Sequence, residues 1–169
     1  GVGTTDLEVG ILKGVCAFHA PQTMKVVITG ELAPGVYSKD VILGVIGKLG
    51  VNGATNRVIE FTGPVVDAMS MEARMTLCNM SIECGARAGM VAPDDTTFDY
   101  LEGRPMAPRG ADWDTAEDDW KTLKTDPGAE YDAQVEIDAT RIRPSVTYGT
   151  HPGMVVAVDE AIPSASANE

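Results

Sequence analysis

The chain is short of cysteine, histidine, aromatic residues and positive charge, and each shortage narrows what it can be. Only three cysteines occur, Cys16, Cys78 and Cys84. The number is odd and no C-x-x-C pair is present, which argues against a disulfide scaffold and against a self-contained zinc site, and points to a reducing, cytoplasmic setting. The two histidines, His19 and His151, stand in loop-like settings near Pro21 and Pro152, with no cysteine or carboxylate at ligand spacing, so they give no metal-site signal. Lys and Arg number 13 against 25 Asp and Glu, a net charge of −12. A surface so negative repels phosphate backbones and sets nucleic acid aside as a partner. No apolar run approaches the roughly 20 residues that a membrane span needs; the longest, around residues 41–51, is broken by Gly44, Gly47 and Lys48. No P-loop, no G-x-S-x-G elbow and no strand-borne dinucleotide fingerprint occurs.

What is present suits a packed α/β unit. The 169 residues make one domain of ordinary size, and 44% are apolar, enough for a core. With aromatics at 5%, that core is built from Val, Ile, Leu, Met and Ala. Thr5 to Glu8 has the capping-box form and opens a helix over 5–14. The β-branched run 24–29 reads as a strand, and Pro34-Gly35 as a turn. Ser38 caps a helix over 39–49 whose stripe is Val41, Ile42, Val45, Ile46 and Leu49, ended by Gly50. A strand over 57–61, a helical turn over 65–69, a helix capped by Ser70 and running to about Ala88, and a strand over 90–92 follow. Asp94 reads as the N-cap of a further helix. Residues 94–138 hold fourteen acids and four bases, ten of the twelve net negative charges. Within them, 112–124 reads as an acidic helix with Trp113, Trp120 and Leu123 inward, and 131–138 as a half-buried strand at an edge or in an antiparallel pair. A last strand covers 153–158. Strands alternating with helices imply a three-layer α/β/α fold with a mixed, mostly parallel sheet.

The most unusual stretch is 76–89, TLCNMSIECGARAG. On a helix, Asn79, Glu83 and Arg87 fall at i, i+4 and i+8, one polar row between apolar and small residues. The plain alternative is an exposed Glu83–Arg87 ion pair. The small and apolar flanks argue for burial instead, and buried charge needs partners. Cys78 and Cys84, six apart, point about 120° out of alignment on a helix, so they do not chelate one metal and read as core thiols.

The run 70–94 (SMEARMTLCNMSIECGARAGMVAPD) resembles the aconitase family, in particular its 3-isopropylmalate dehydratase large-subunit branch. Ser38-Lys39-Asp40, Gly53-Ala54-Thr55, Glu60-Phe61-Thr62-Gly63, Tyr100 to Pro105 and Tyr148 to Gly153 carry the resemblance nearly end to end. It implies a hydro-lyase that works through a four-iron four-sulfur cluster, one iron of which lacks a protein thiolate and acts as a Lewis acid on the substrate. It implies a hydroxy-dicarboxylate substrate, a small swivel-domain partner subunit and a place in leucine biosynthesis. By motif, the family's site Asn and Glu fall on Asn79 and Glu83: the amide approaches the cluster, and the carboxylate hydrogen-bonds near the iron-bound water or substrate hydroxyl. Arg87 is the candidate substrate-binding cation.

The departures from the family are equally specific. The family's cluster thiolates come from a C-T-N loop and a later C-x-x-C, and its D-S-H-T segment precedes the stretch matched here; none of these is present in the 169 residues. Gly1-Val2-Gly3 reads as a turn within a longer chain, and the tail from Pro163 shows no capping logic. The expectation is therefore an interior segment, with a core over about 20–140 and flanks 1–19 and 141–169 belonging to a neighbouring subdomain. Such a segment holds no cluster of its own, binds no metal and is inactive alone. Homoaconitase and dimethylmalate-type dehydratases are alternatives within the family. A non-catalytic acidic α/β interaction module is the alternative from another class.

Overall fold

The computed structural model describes residues 4–15 and 19–164. The expected turn at 1–3, Cys16 and the end of the tail lie outside them. In chain order the elements are α1 (Thr4–Lys13), β1 (Gln22–Thr29), α2 (Ser38–Leu49), β2 (Arg57–Thr62), α3 (Pro64–Asp67) and α4 (Met71–Met80). After a 3-10 turn (Ser81–Cys84) come β3 (Ala88–Met90), α5 (Asp95–Leu101), α6 (Ala111–Lys121), β4 (Ala133–Asp138), β5 (Ser145–Thr147) and β6 (Val155–Ala157).

The structure is an α/β unit, a four-stranded sheet flanked by helices, with strand order β3-β2-β1-β4. β1 runs parallel to β2, from Gln22↔Arg57 to Val27↔Thr62, and parallel to β4, from Met24↔Ala133 to Thr29↔Asp138. β3 adds parallel to β2. The sheet is thus parallel throughout rather than mixed. Helical crossovers join its strands, and only the short 148–154 loop lets β5 and β6 pair antiparallel, in a separate two-stranded sheet. β4 is an edge strand, as its alternation implies, but its partner is parallel.

Period-two alternation decides where the core sits. Met24, Val26 and Ile28 of β1, Ile59 and Phe61 of β2 and Ile137 of β4 are buried on one face. Against them pack Val41, Ile42, Val45 and Ile46 of α2 and Leu77 of α4, all fully buried. Each such side chain contributes about 1.5–3 kcal/mol relative to leaving it in water. α2 begins at Ser38, one residue earlier than expected. Its N3 residue Asp40 accepts the Tyr37 N–H at 2.8 Å, and Gly50 closes the helix with its N–H on the Ile46 carbonyl. The Asp40 carboxylate also accepts the Ser145 N–H at 2.8 Å, tying β5 to α2.

Other boundaries depart from the sequence reading as well. α1 starts at Thr4, so Thr5 lies inside the first turn rather than at the cap. α6 ends at Lys121, because Thr122 and Leu123 turn back onto the Asp119 and Trp120 carbonyls; Leu123 is left 64% exposed while Trp113 and Trp120 pack edge to face at 5.6 Å. Most importantly, α4 stops at Met80 instead of running to Ala88. The chain tightens into the 3-10 turn, the Ser81 hydroxyl donates to the Cys78 carbonyl at 2.7 Å, and Gly85 takes the left-handed conformation (φ 87°) that ends the turn. The Arg87 N–H then bonds the Arg57 carbonyl at 2.7 Å and sets β3 two residues earlier than expected, at 88–90.

Gly89 carries a test of this junction. A Cβ there would lie 2.7 Å from Ser81 Oγ and 3.0 Å from Cys78 Cα, so the strand rests directly on the end of α4. Gly89→Ala is expected to cost about 1–3 kcal/mol in urea unfolding through overpacking. A stabilised variant would mean that the close approach is absent.

Candidate functional site

The break after Met80 governs the geometry of the candidate residues. Asn79 stands in the last turn of α4, Glu83 in the 3-10 turn and Arg87 just before β3. They do not form a single helical row, and all three are exposed rather than buried. The plain alternative, a Glu83–Arg87 ion pair, is not formed either among the described residues, since the helix that would set its i,i+4 spacing has ended. Among the described residues none of the three side chains has a hydrogen-bonded or ion-paired partner. Three chemically distinct groups, an amide, a carboxylate and a guanidinium, are thus presented to the surface along one turn and its exit.

A second segment packs on this turn, and a third packs on that segment. The loop ahead of β2 is bonded to it through the Ala54 N–H on the Cys84 carbonyl at 2.8 Å. Gly85 is so close to that loop that a Cβ would meet Thr55 Oγ1 at 2.8 Å and the Val51 carbonyl at 3.3 Å. The β5–β6 loop closes on itself through Tyr148 N–H to Met154 O and Met154 N–H to His151 O, each 3.0 Å. Its Gly153 lies against Val51, where a Cβ would come within 2.9 Å of the Val51 methyl. The resemblance-bearing runs 53–55 and 79–87 therefore meet at the amino-terminal ends of β2 and β3, and 148–153 is linked to them through Val51. Sequence reasoning picked out each run and missed that they are neighbours. No local signal encodes a contact between residues about 100 positions apart.

Behind the turn, α4 is anchored by a charge pair that the sequence reading did not find. Arg74 is 2% exposed. Its guanidinium grips Asp94 two-fold, Nη1 to Oδ1 at 2.6 Å and Nη2 to Oδ2 at 2.7 Å, and Nη2 also bonds the Asp67 carbonyl at 3.0 Å. Asp94 is at the same time the N-cap of α5, accepting the Thr97 N–H at 3.2 Å. The hydrogen-bonded Arg74 guanidinium holds the Asp94 carboxyl below its usual range, and the Thr97 N–H adds to this. One side chain thus fixes the direction of α4 and the start of α5.

Fold and site together define an α/β unit that carries polar groups on turns at one end of a parallel sheet. The profile of the aconitase family (aconitate hydratase) matches residues 1–169, the whole chain, so the chain belongs to the aconitase family. The chemistry that goes with the family is that of a hydro-lyase of the aconitase type. No helix among the described residues is long and apolar enough to cross a membrane.

Members of this family typically bind a four-iron four-sulfur cluster. The described residues do not fit such a group. Thiolates must hold it, whereas the Cys84 thiol is fully buried and donates to the Ser81 carbonyl at 3.0 Å. Burial pushes both the Cys78 and the Cys84 thiols up, away from the ionised form.

Proposed function

We propose that the chain is part of a hydro-lyase that interconverts 2-isopropylmalate and 3-isopropylmalate by removing and returning water, as in leucine biosynthesis. Residues 20–140 form its core unit, and 1–19 and 141–169 are flanks shared with a neighbouring subdomain of the parent protein. Leu7, Ile11 and Leu12, exposed along α1, support that assignment for the first flank. Asn79 and Glu83 belong to the reaction site: the amide orients the hydroxylated end of the substrate, and the carboxylate holds or moves a proton at the departing hydroxyl. Arg87 binds a substrate carboxylate. The thiolates of the cluster come from outside residues 1–169, and the site is completed by a small swivel-domain subunit.

The observation that carries this reading is the packing of the 50–56 loop on the turn that presents Asn79 and Glu83, with the 148–153 loop against Val51 behind it, in a chain matched end to end by the family. Three polar side chains left without partners at such a junction are what a site shared between subdomains needs. Homoaconitate and dimethylmalate are the competing substrates, because the groups that read the rest of the substrate lie on other parts of the protein.

The assay that tests the reading uses the chain within its natural flanking sequence, co-expressed with the partner subunit and supplied in turn with 3-isopropylmalate, homoaconitate and dimethylmalate. Turnover of 3-isopropylmalate well above the other two is the expected result, and preference for either of the others would replace the substrate. A companion experiment concerns residues 1–169 alone. Anaerobic treatment with iron and sulfide is expected to leave the chain colourless, and a brown chromophore with about four irons per chain would overturn the proposed source of the thiolates.

A further inference from the structure

Strands β1 and β2 set Lys25 and Glu60 side by side, as register partners on the sheet face turned away from the core. Opposite charges side by side on one face of a sheet attract each other and are within reach of a cross-strand ion pair. Here none forms: among the described residues neither Lys25 nor Glu60 belongs to an ion pair. Tyr131 divides them. Its ring receives the Lys25 ammonium, with Nζ 5.4 Å from the centroid, and its hydroxyl donates to Glu60 Oε2 at 2.6 Å. Thr125 Oγ1 donates to the same oxygen at 2.8 Å. Among the described residues Glu60 Oε1 is left without a donor, and the ammonium has only the π face of the ring.

Both groups line a cavity of about 380 Å³ between the sheet and the turn over 124–129. That volume lies within the range of small-molecule sites, roughly 300–1,000 Å³. Lys124 and the acids Asp67, Asp94 and Asp126 also line it, while Val91, Ala92 and Pro127 supply apolar wall. Its lining runs from Lys25 and Glu60 within the strands to Thr62 at the end of β2 and to Val91 and Ala92 just past β3. Both charges are half-buried, split by an aromatic ring and turned into one space, an arrangement that suits a molecule carrying both opposite charges itself.

We propose that this cavity binds a small zwitterion of the α-amino acid class with an apolar side chain. The ligand ammonium bonds Glu60 Oε1, its carboxylate bonds Lys25, and its side chain lies against Val91, Ala92 and Pro127. An α-amino acid carries both charges on one carbon, and neighbouring strands stand about 4.8 Å apart, so one molecule reaches both partners. The proposal does not rest on the hydro-lyase reading, and binding is measured without turnover.

The test is calorimetric titration of the 169-residue chain with L-leucine, L-valine and L-alanine. Two controls each lack one charge: 4-methylpentanoate has no ammonium and isopentylamine no carboxylate. Saturable binding of at least one amino acid is expected, with both controls at least about tenfold weaker, since a charge-assisted hydrogen bond is worth a factor of this order or more. Lys25→Gln and Glu60→Gln are each expected to weaken binding at least about tenfold with an unchanged melting temperature, and Lys25→Arg to retain it. Absence of saturable heat for all three amino acids up to about 10 mM would overturn the proposal. So would controls that bind as well as the amino acids, or glutamine variants that bind as well as the parent. Should a variant unfold, the amino acid and control series on the parent chain decides the matter alone.

Discussion

Replacing Asp94 with alanine is expected to lower the unfolding free energy by about 3–5 kcal/mol, a fall of roughly 6–20 °C in melting temperature for a chain of this size. The reason is less the lost attraction than the charge left behind. Arg74 is 2% exposed, and without Asp94 its two Nη atoms keep only the Asp67 carbonyl and a long 3.5 Å contact to Thr97 Oγ1. Its Nε already has no partner among the described residues. The same change removes the side-chain cap of α5, worth about 1 kcal/mol of that total. The pair Arg74→Met with Asp94→Ala should recover much of the loss, because an apolar replacement leaves no stranded cation. The pH dependence has a definite sign. A carboxyl whose folded pKa is lowered contributes stability at pH above about 4, and that contribution fades as the pH falls through the lowered value. Parent and Asp94→Ala should therefore draw together in acid and stand furthest apart near neutrality. Urea titrations followed by tryptophan fluorescence at several pH values measure this. A neutral-pH difference below about 1 kcal/mol would place the pair among ordinary surface bridges.

The largest functional effect is expected at Glu83. In the parent enzyme, Glu83→Gln should reduce turnover by about 10²–10⁴, the usual worth of one positioned proton-transfer group, while leaving thermal stability within about 0.5 kcal/mol of the parent. The two expectations separate because Glu83 is exposed and, among the described residues, contacts no partner whose loss would unfold the turn. Glutamine preserves size and shape, so a defect reports on the ionisable oxygen alone. Measurement of kcat and KM should show the loss in kcat; an unchanged kcat with a raised KM would recast Glu83 as a substrate-holding residue. Turnover within a few-fold of the parent would remove it from the site altogether.

Features that depend on near neighbours in the chain were legible in the sequence. The stripe of α2, the Ser70 and Asp94 caps and the strand character of β1 and β2 each rest on residues within one or two turns, and each is present. The end of α4 was not legible, because helical apolar spacing continues past Met80 through Ile82 and Ala86. What stops the helix is a side-chain bond from Ser81 and the backbone of Gly85, both subordinate to the packing of Gly89 on Cys78. β4 invited an antiparallel reading because parallel strands are usually apolar on both faces, whereas here Gln134, Glu136 and Asp138 stay exposed on an edge. β5 follows Pro144, spans three residues and carries no periodicity to read. At the candidate site, the unusual composition of 76–89 and its family resemblance drew attention to Asn79 and Glu83. The Arg74–Asp94 pair and the packing of the loops one on another are long-range facts with no local trace.

The strand order has a kinetic consequence. β1 meets β2 across 35 residues, Met24 against Ile59, but meets β4 across 109, Met24 against Ala133. Closing the longer span costs about 1 kcal/mol more in chain entropy before any contact compensates it. The stretch from β1 to β3 can therefore nucleate as one local assembly while the acidic segment that follows is still a tether, and β4 joins as the final rung. Its backbone amides should be the first of the ladder to exchange with solvent when the native state breathes.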